Sequence, residues 1–193
     1  NNLGNITYKN NTFMAVGNSG TILSSSDGTG WTTKTSTDTT KNMWGVTYGN
    51  STWVTNGDNG SIFTSSDGTS WDNRTSASGT TEEFNEVIFG NSTFVAFGNN
   101  GIIRTSSDGT TWDNGTTSNQ ENLPGGTYAN SIFVAVGNNG TILTSSDGTN
   151  WTGRTSGTSN KLRGVTYGNG TFVAVGNSGT ILTSSDGTTW TSR

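Results

Sequence analysis

The residues able to do chemistry in this sequence are carboxylates, a few arginines and seven tryptophans, because it holds no histidine and no cysteine. The commonest general base and metal ligand at neutral pH is therefore missing, and neither a disulfide nor a thiolate metal site can form. What remains is carboxylate chemistry. Glu82, Glu83, Glu86 and Glu121 could supply the two carboxyl groups that a glycosidase sets across a cleft, but no neighbouring residue type tunes one of them to act as the acid. Five aspartates, Asp27, Asp67, Asp108, Asp147 and Asp186, each precede a glycine, yet the clustered acidic ligands of a calcium loop are absent. No metal or cofactor motif is present, so we expect no cofactor and no enzymatic activity.

Those aspartates belong to a repeat. SSSDGTGW at 24–31, TSSDGTSW at 64–71, TSSDGTTW at 105–112, TSSDGTNW at 144–151 and TSSDGTTW at 183–190 recur at intervals of 39 to 41 residues. A second landmark, Tyr8, Tyr48, Phe89, Tyr128 and Tyr167, keeps the same beat, with an apolar residue five positions before each one: Leu3, Met43, Phe84, Leu123 and Leu162. A fixed period of about forty residues is the signature of a stacked array. Each unit parses into four strands. In the last unit these are LRGVTYG at 162–168, the apolar run TFVAVG at 171–176, GTILTSS at 179–185 leading into Asp-Gly, and a fourth strand from the Trp onward. No stretch carries helical periodicity with caps.

Composition agrees. Only 27% of the 193 residues are hydrophobic and 11% are charged, with 29 Gly, one Pro and a net charge of −4; this is a chain of short strands and tight turns. No apolar run reaches the length of a membrane span, and no signal peptide is visible. A chain beginning at Asn1 reads as a mature or excised segment. The acidic balance and scattered basic residues give no electrostatic footprint for nucleic acid. Four short antiparallel strands repeated radially describe a propeller blade. We expect one all-β propeller domain over 1–193, with five four-stranded blades at about 1–36, 37–76, 77–117, 118–156 and 157–193, closing into a ring. The rival architecture is a linear stack or β-solenoid.

The S-x-D-G-x-x-W element resembles the Asp-box, or BNR repeat, of sialidases, sortilin-type receptors and photosystem II assembly-factor-like propellers. The adjacency of Asp and Gly is closest to the assembly-factor-like variety. The resemblance implies a propeller with the boxes at the blade periphery, away from the functional face, and a structural role for Asp27, Trp31, Asp67, Trp71, Asp108, Trp112, Asp147, Trp151, Asp186 and Trp190. It does not extend to sialidase activity. Lys34, Arg74, Arg154 and Arg193 all lie three residues after a box Trp, and with these set aside only Arg104 and Arg163 remain, too few for the substrate-binding arginine cluster.

Function is sought where one unit departs from its siblings. The two positions four and three before the aromatic landmark read Gly4-Asn5, Trp44-Gly45, Asn85-Glu86, Pro124-Gly125 and Arg163-Gly164. They open the innermost strand, so Trp44, Asn85, Glu86 and Arg163 are expected to converge on the channel mouth as one ligand site. Asn56 joins them because it stands where siblings have Val16, Phe97, Val136 and Val175; a polar group there needs a protein, water or ligand partner. Arg104, at a position otherwise Leu or Phe, is expected to pair with a carboxylate or mark a contact surface. Ten N-x-S/T sequons, among them Asn10, Asn50 and Asn139, suit an extracellular or cell-surface protein, although turn chemistry alone accounts for many of them. The overall expectation is a non-enzymatic extracellular module that binds glycan or protein through the propeller face. The alternatives are a self-assembling building block of a surface structure and, more remotely, a glycosidase.

Overall fold

The computed structural model describes residues 1–34, 36 and 38–193. The chain is all-β, with five separate four-stranded antiparallel sheets, each built from strands consecutive in sequence. The first sheet comprises β1 (Leu3–Lys9), β2 (Thr12–Gly17), β3 (Ile22–Ser25) and β4 (Thr32–Lys34); the second β5 (Met43–Gly49), β6 (Thr52–Gly57), β7 (Ile62–Ser65) and β8 (Asp72–Asn73). The third holds β9 (Phe84–Gly90), β10 (Thr93–Gly98), β11 (Ile103–Ser106) and β12 (Asp113–Asn114), and the fourth β13 (Gly125–Ala129), β14 (Ile132–Val136), β15 (Ile142–Ser145) and β16 (Thr152–Arg154). The fifth is β17 (Leu162–Gly168), β18 (Thr171–Gly176), β19 (Ile181–Ser184) and β20 (Thr191–Ser192). This is the propeller blade expected from the repeat. The innermost strands β1, β5, β9, β13 and β17 pack against one another in that order.

Turn chemistry explains the meander. The first hairpin of each blade places two consecutive residues at positive φ, such as Asn50 at 43° and Ser51 at 59°, the geometry that matches strand twist and that Asn tolerates. Six of the ten sequon asparagines (Asn10, Asn50, Asn59, Asn91, Asn139 and Asn169) adopt this left-handed conformation. On the same end of the blades the Ser-x-Asp-Gly hairpin closes each third-to-fourth strand connection. In the fourth blade Asp147 Oδ1 accepts from the N–H of Thr149 (2.8 Å) and of Asn150 (2.9 Å), while Ser145 Oγ donates to Asp147 Oδ1 (2.8 Å) and accepts from Gly148 N–H (2.8 Å). The other four hairpins repeat the Ser–Asp bond at 2.9–3.0 Å. The backbone N–H of Asn150, then its side-chain amide, hold the Asp147 carboxyl well below the usual carboxylate range. Asp27, Asp67 and Asp186 are lowered by the N–H of Gly30, Ser70 and Thr189 in the first place. Asp108 is lowered as well, although burial opposes the hydrogen bonds there.

The hydrophobic core lies between blades, in four clusters. Each joins the face a blade turns to its successor with the face the successor turns back. Between the first two blades, Met14, Val16 and Ile22 meet Met43, Val46, Phe63 and Trp71. The same theme joins Val54 and Ile62 to Phe84, Val87 and Phe94, and Val95, Phe97 and Ile103 to Leu123, Phe133, Leu143 and Trp151. In the last interface Val134, Val136 and Ile142 meet Leu162, Phe172 and Leu182.

The expected ring closure is not found. Among the described residues the innermost strand of the fifth blade lacks the packing on the first that joins every other pair of neighbouring blades, and the faces that would meet there are bare: Leu3, Ile6 and Tyr8 on one side, Val175 and Ile181 on the other, are 43–58% exposed. The chain forms an open five-bladed arc. Trp31, on the uncovered first blade, is exposed for this reason, whereas Trp71 and Trp151 are buried and Trp112 and Trp190 half-buried against internal blade interfaces. Trp151→Ala should therefore cost about 3–5 kcal/mol in a denaturant melt, as a large core truncation does, whereas Trp31→Ala should cost less than about 1 kcal/mol, as a surface substitution does.

Candidate functional site

The two variable slots that are adjacent in sequence point to different places. Where the innermost strand opens, the register against its partner slips by one residue between Met43 and Gly45, and likewise between Leu162 and Gly164; in the third blade Phe84 faces Gly98 and Glu86 faces Phe97, leaving Asn85 over. Trp44, Asn85 and Arg163 are thus bulge residues, and a bulge re-aims a side chain. Each is turned onto the connection between the second and third strands of its own blade. Trp44 Nε1 donates to Asp58 Oδ1 (2.7 Å), Asn85 Nδ2 to Asn99 Oδ1 (3.1 Å) and Arg163 Nε to Asn177 Oδ1 (2.7 Å). The spacing is fourteen residues every time. In the fourth blade Pro124 has no donor to offer, and Asn138 Oδ1 is left buried without a partner. The signal was present in the sequence as a donor paired with an Asp or Asn fourteen positions later.

The expected convergence of Trp44, Asn85, Glu86 and Arg163 into one cluster is therefore corrected. Three of them decorate separate blade junctions and are committed to their own turns, because the bulge separates them from the strand residue that follows. Trp44 lies over Gly4 of the preceding blade, where an added Cβ would stand 3.1 Å from the indole; Asn85 also reaches the Leu123 carbonyl of the next blade at 3.3 Å.

The second slot reads Asn5, Gly45, Glu86, Gly125 and Gly164 around the arc. Asn5 and Glu86 line the channel, whereas a Cβ at Gly45 or Gly125 would run into the next blade. A cavity of about 240 Å³ runs between the innermost strands of the first four blades, lined among others by Asn5, Lys9, Val46, Glu86, Gly126 and Tyr128. Glu86 is half-buried, with its exposed part on this channel. Its carboxylate accepts from the N–H of Val87 at 3.1 Å and, across the second blade, from Asn5 Nδ2 at 3.3 and 3.4 Å. Gly45 makes that approach feasible, since a Cβ there would fall 2.6 Å from both Val87 N and Asn56 Oδ1. Burial pushes the Glu86 carboxyl up from the ordinary 4.5 to about 7, against the opposing bonds from Val87 and Asn5. A neutral-to-anionic acceptor in a narrow channel can bind a cation or donate a proton to a ligand; no second carboxylate lines the same cavity.

Asn56 is also corrected. It is fully buried between blades, and its Nδ2 donates to the Glu86 carbonyl at 2.8 Å, while Thr55 Oγ1 donates to the Gly45 carbonyl at 2.8 Å. It positions the strand carrying Glu86 and does not reach the channel as a ligand contact. Arg104 is buried too, and finds carbonyls in place of the expected carboxylate: Nε donates to Ser78 O at 2.7 Å and Nη1 to Ile103 O at 3.2 Å. Glu82, Glu83 and Glu121 do not line this cavity; Glu82 accepts from Asn100 and Glu121 from Asn139. The repeated arginines Arg74, Arg154 and Arg193 each donate through Nε to the threonine ten residues earlier.

A family model described as the DUF6242 beta propeller domain matches residues 35–157. The chain belongs to this family. No curated protein matches the sequence. Among solved structures this DUF6242 propeller is similar to YCF48 bound to D1 peptide, at 18% identity and a TM-score of 0.74, over 98% of this chain and 65% of that one. YCF48 from Cyanidioschyzon merolae follows at 16% identity and a TM-score of 0.73, over 98% and 71% of the two chains. The WD40 beta propeller domain of Doa1 is similar at 13% identity and 0.68, over 92% and 62%. At these identities the likeness shows the fold, and the chain spans less than two thirds of the first of them.

Glu86 gives the site a measurable signature. A carboxyl whose folded pKa lies above its unfolded one binds its proton better in the folded state, so its stabilisation is complete below the unfolded value and is lost as pH rises towards the folded one. Thermal unfolding should show stability falling as pH rises from about 4.5 to 7, a slope that Glu86→Gln abolishes. The hairpin aspartates act with the opposite sign, losing their contribution as pH falls below about 3.9. Maximum stability is therefore expected at about pH 4–5.

Proposed function

We propose that this propeller is a non-enzymatic binding module, acting outside the cell or at its surface, that takes a basic side chain of a partner protein segment into the channel beside Glu86. The observation that carries this reading is the asymmetry of that slot: one carboxylate and one amide line the channel where the other three blades have glycine. A lysine or arginine side chain is long and thin enough for a cavity of about 240 Å³, and its charge would stabilise the ionised form of a carboxyl otherwise held near neutrality. The half-buried Trp44 at the rim offers an apolar flank for the rest of the segment. Recognition of a peptide has a precedent in the fold, since one YCF48 propeller carries a D1 peptide. We read the Ser-x-Asp-Gly hairpins as Asp-boxes and purely structural, because Oδ1 of each Asp accepts from its own turn. The dense N-x-S/T sequons support an extracellular location, with Asn10, Asn50, Asn91, Asn139 and Asn169 all exposed.

Panning a random heptapeptide phage library against the chain tests this. Enriched peptides should carry Lys or Arg, bind one per chain, tighten as pH rises from 6 to 8 while Glu86 ionises, and weaken tenfold or more, about 1.4 kcal/mol, against Glu86→Gln. Peptides without basic residues, or equal affinity for the variant, would remove Glu86 from the site. Hits confined to a glycan array would transfer the function to carbohydrate.

A further inference from the structure

The two bare ends of the arc are complementary halves of the interface already repeated four times inside it. The first blade presents Leu3, Ile6, Ala15, Leu23 and Trp31, which line an apolar groove of about 480 Å³. The residues in these places on the second and fifth blades are covered: Met43 and Val46 by the first blade, Leu162 and Leu182 by the fourth. The fifth blade presents Val175 and Ile181, 46% and 43% exposed, whose counterparts Val136 and Ile142 on the fourth blade are 0% and 1% exposed.

A glycine makes the fit specific. Gly49 and Gly90, each directly after the aromatic landmark of its strand, lie hard against the landmark ring of the following blade, Phe89 and Tyr128 respectively; a Cβ at either would penetrate the ring. Gly168 holds the same place in the fifth blade, and a Cβ there would meet nothing within 4 Å. At the other end Tyr8, the landmark ring of the first blade, is 50% exposed and lies on no glycine. The fifth blade thus carries a seat with no ring in it, and the first blade a ring with no seat.

We propose that both faces are blade-docking surfaces and that their occupants are further units of this same repeat, about two of them, completing the ring. The unit following the fifth blade would bring an aromatic onto Gly168 and a Leu-Ala-Trp face onto Val175 and Ile181; the unit preceding the first would bring Val and Ile into the groove beside Trp31. Five units fill 65% and 71% of the two similar YCF48 chains, which leaves room for about two more of equal length. A second copy of the five-bladed arc suits the faces less well, because ten blades at the same angular step overrun a circle that about seven would close.

The test compares the 193-residue chain with a seven-unit chain in which residues 116–193 are repeated after Arg193, so that the junction falls where Arg193 replaces its counterpart Gly115. The seven-unit chain should be monomeric, melt higher and bind less bis-ANS than the 193-residue chain. Gly168→Val should leave the 193-residue chain's melting temperature unchanged but lower that of the seven-unit chain by more than 5 °C, while Gly90→Val lowers both. Three results would overturn the proposal: equal melting temperatures and dye binding for the two lengths; destabilisation of the 193-residue chain by Gly168→Val, which would mean that five blades close on themselves; or concentration-dependent oligomers of the 193-residue chain that Ile6→Lys dissolves, which would make a second copy the occupant.

Discussion

Everything in this molecule depends on one contact: a flat face of Val and Ile on one blade inserted against a Leu, Phe, Ala and Trp face on the next. A four-stranded sheet of about forty residues has no interior of its own, so its two faces are stable only when both are covered. The sequence spends its scarce apolar residues there. With 27% hydrophobic residues overall, nearly every fully buried large side chain, from Met14 and Ile22 through Phe97 and Phe133 to Phe172, belongs to an inter-blade cluster. Glycine is the other half of the contact. Gly49 and Gly90 allow an aromatic ring to lie flat on a neighbouring backbone, and this brings the innermost strands close enough to narrow the channel.

The hairpins solve a different problem. Short strands need connections that fix their own geometry, and a short polar side chain that accepts from the N–H groups of its own turn does this locally. One carboxylate oxygen serves two such donors in each Ser-x-Asp-Gly turn, with the serine as a bridge between acid and glycine. The Trp then closes the turn, its Nε1 donating to the hairpin glycine carbonyl at 2.8–3.1 Å in four of the five blades. The exception is instructive. In the second blade Trp53 replaces the sibling Phe and lies beside Gly68, and the buried Trp71 Nε1 goes without a partner. The repeat tolerates one unsatisfied donor where a larger ring fills the interface.

How much of this could be read beforehand depends on how local each determinant is. Strands such as β18 and the hairpins were legible, because alternation, Asn-Gly turns and Asp-Gly turns act over a few residues. The fate of the ends was not. Leu3 and Val175 carry the same residue types as their buried counterparts Leu123 and Val136, so nothing in either segment reports whether a neighbour covers it. The rim was misread for a geometric reason. Trp44 and Gly45, or Asn85 and Glu86, look like one variable dipeptide, but a one-residue register slip sends the first onto the turn fourteen residues on, while Glu86, the second of its pair, lines the channel. Asn56 was noticed as an oddity, and its partner proved to be a main-chain carbonyl on the next blade, a contact that no spacing within one unit could reveal.

Glu86 shows what a repeat protein gains by breaking its own rule. A carboxylate in the channel is costly when ionised, and the surroundings reduce that cost only in part: Asn5 reaches it with two long bonds, and the N–H of Val87 offers one shorter one. A structural acid would be expected to draw several short bonds, as Oδ1 of each hairpin aspartate does from its own turn. Those five carboxyls are driven below the usual range by their turns, whereas this one is driven above it by burial. The contrast separates the two roles on physical grounds. Asp147 has no bonding capacity left on its Oδ1, while Glu86 keeps unfilled acceptor capacity beside the channel. Asn56 and Thr55 hold the backbone around it without touching the carboxylate, so the strand is fixed and the acid remains available.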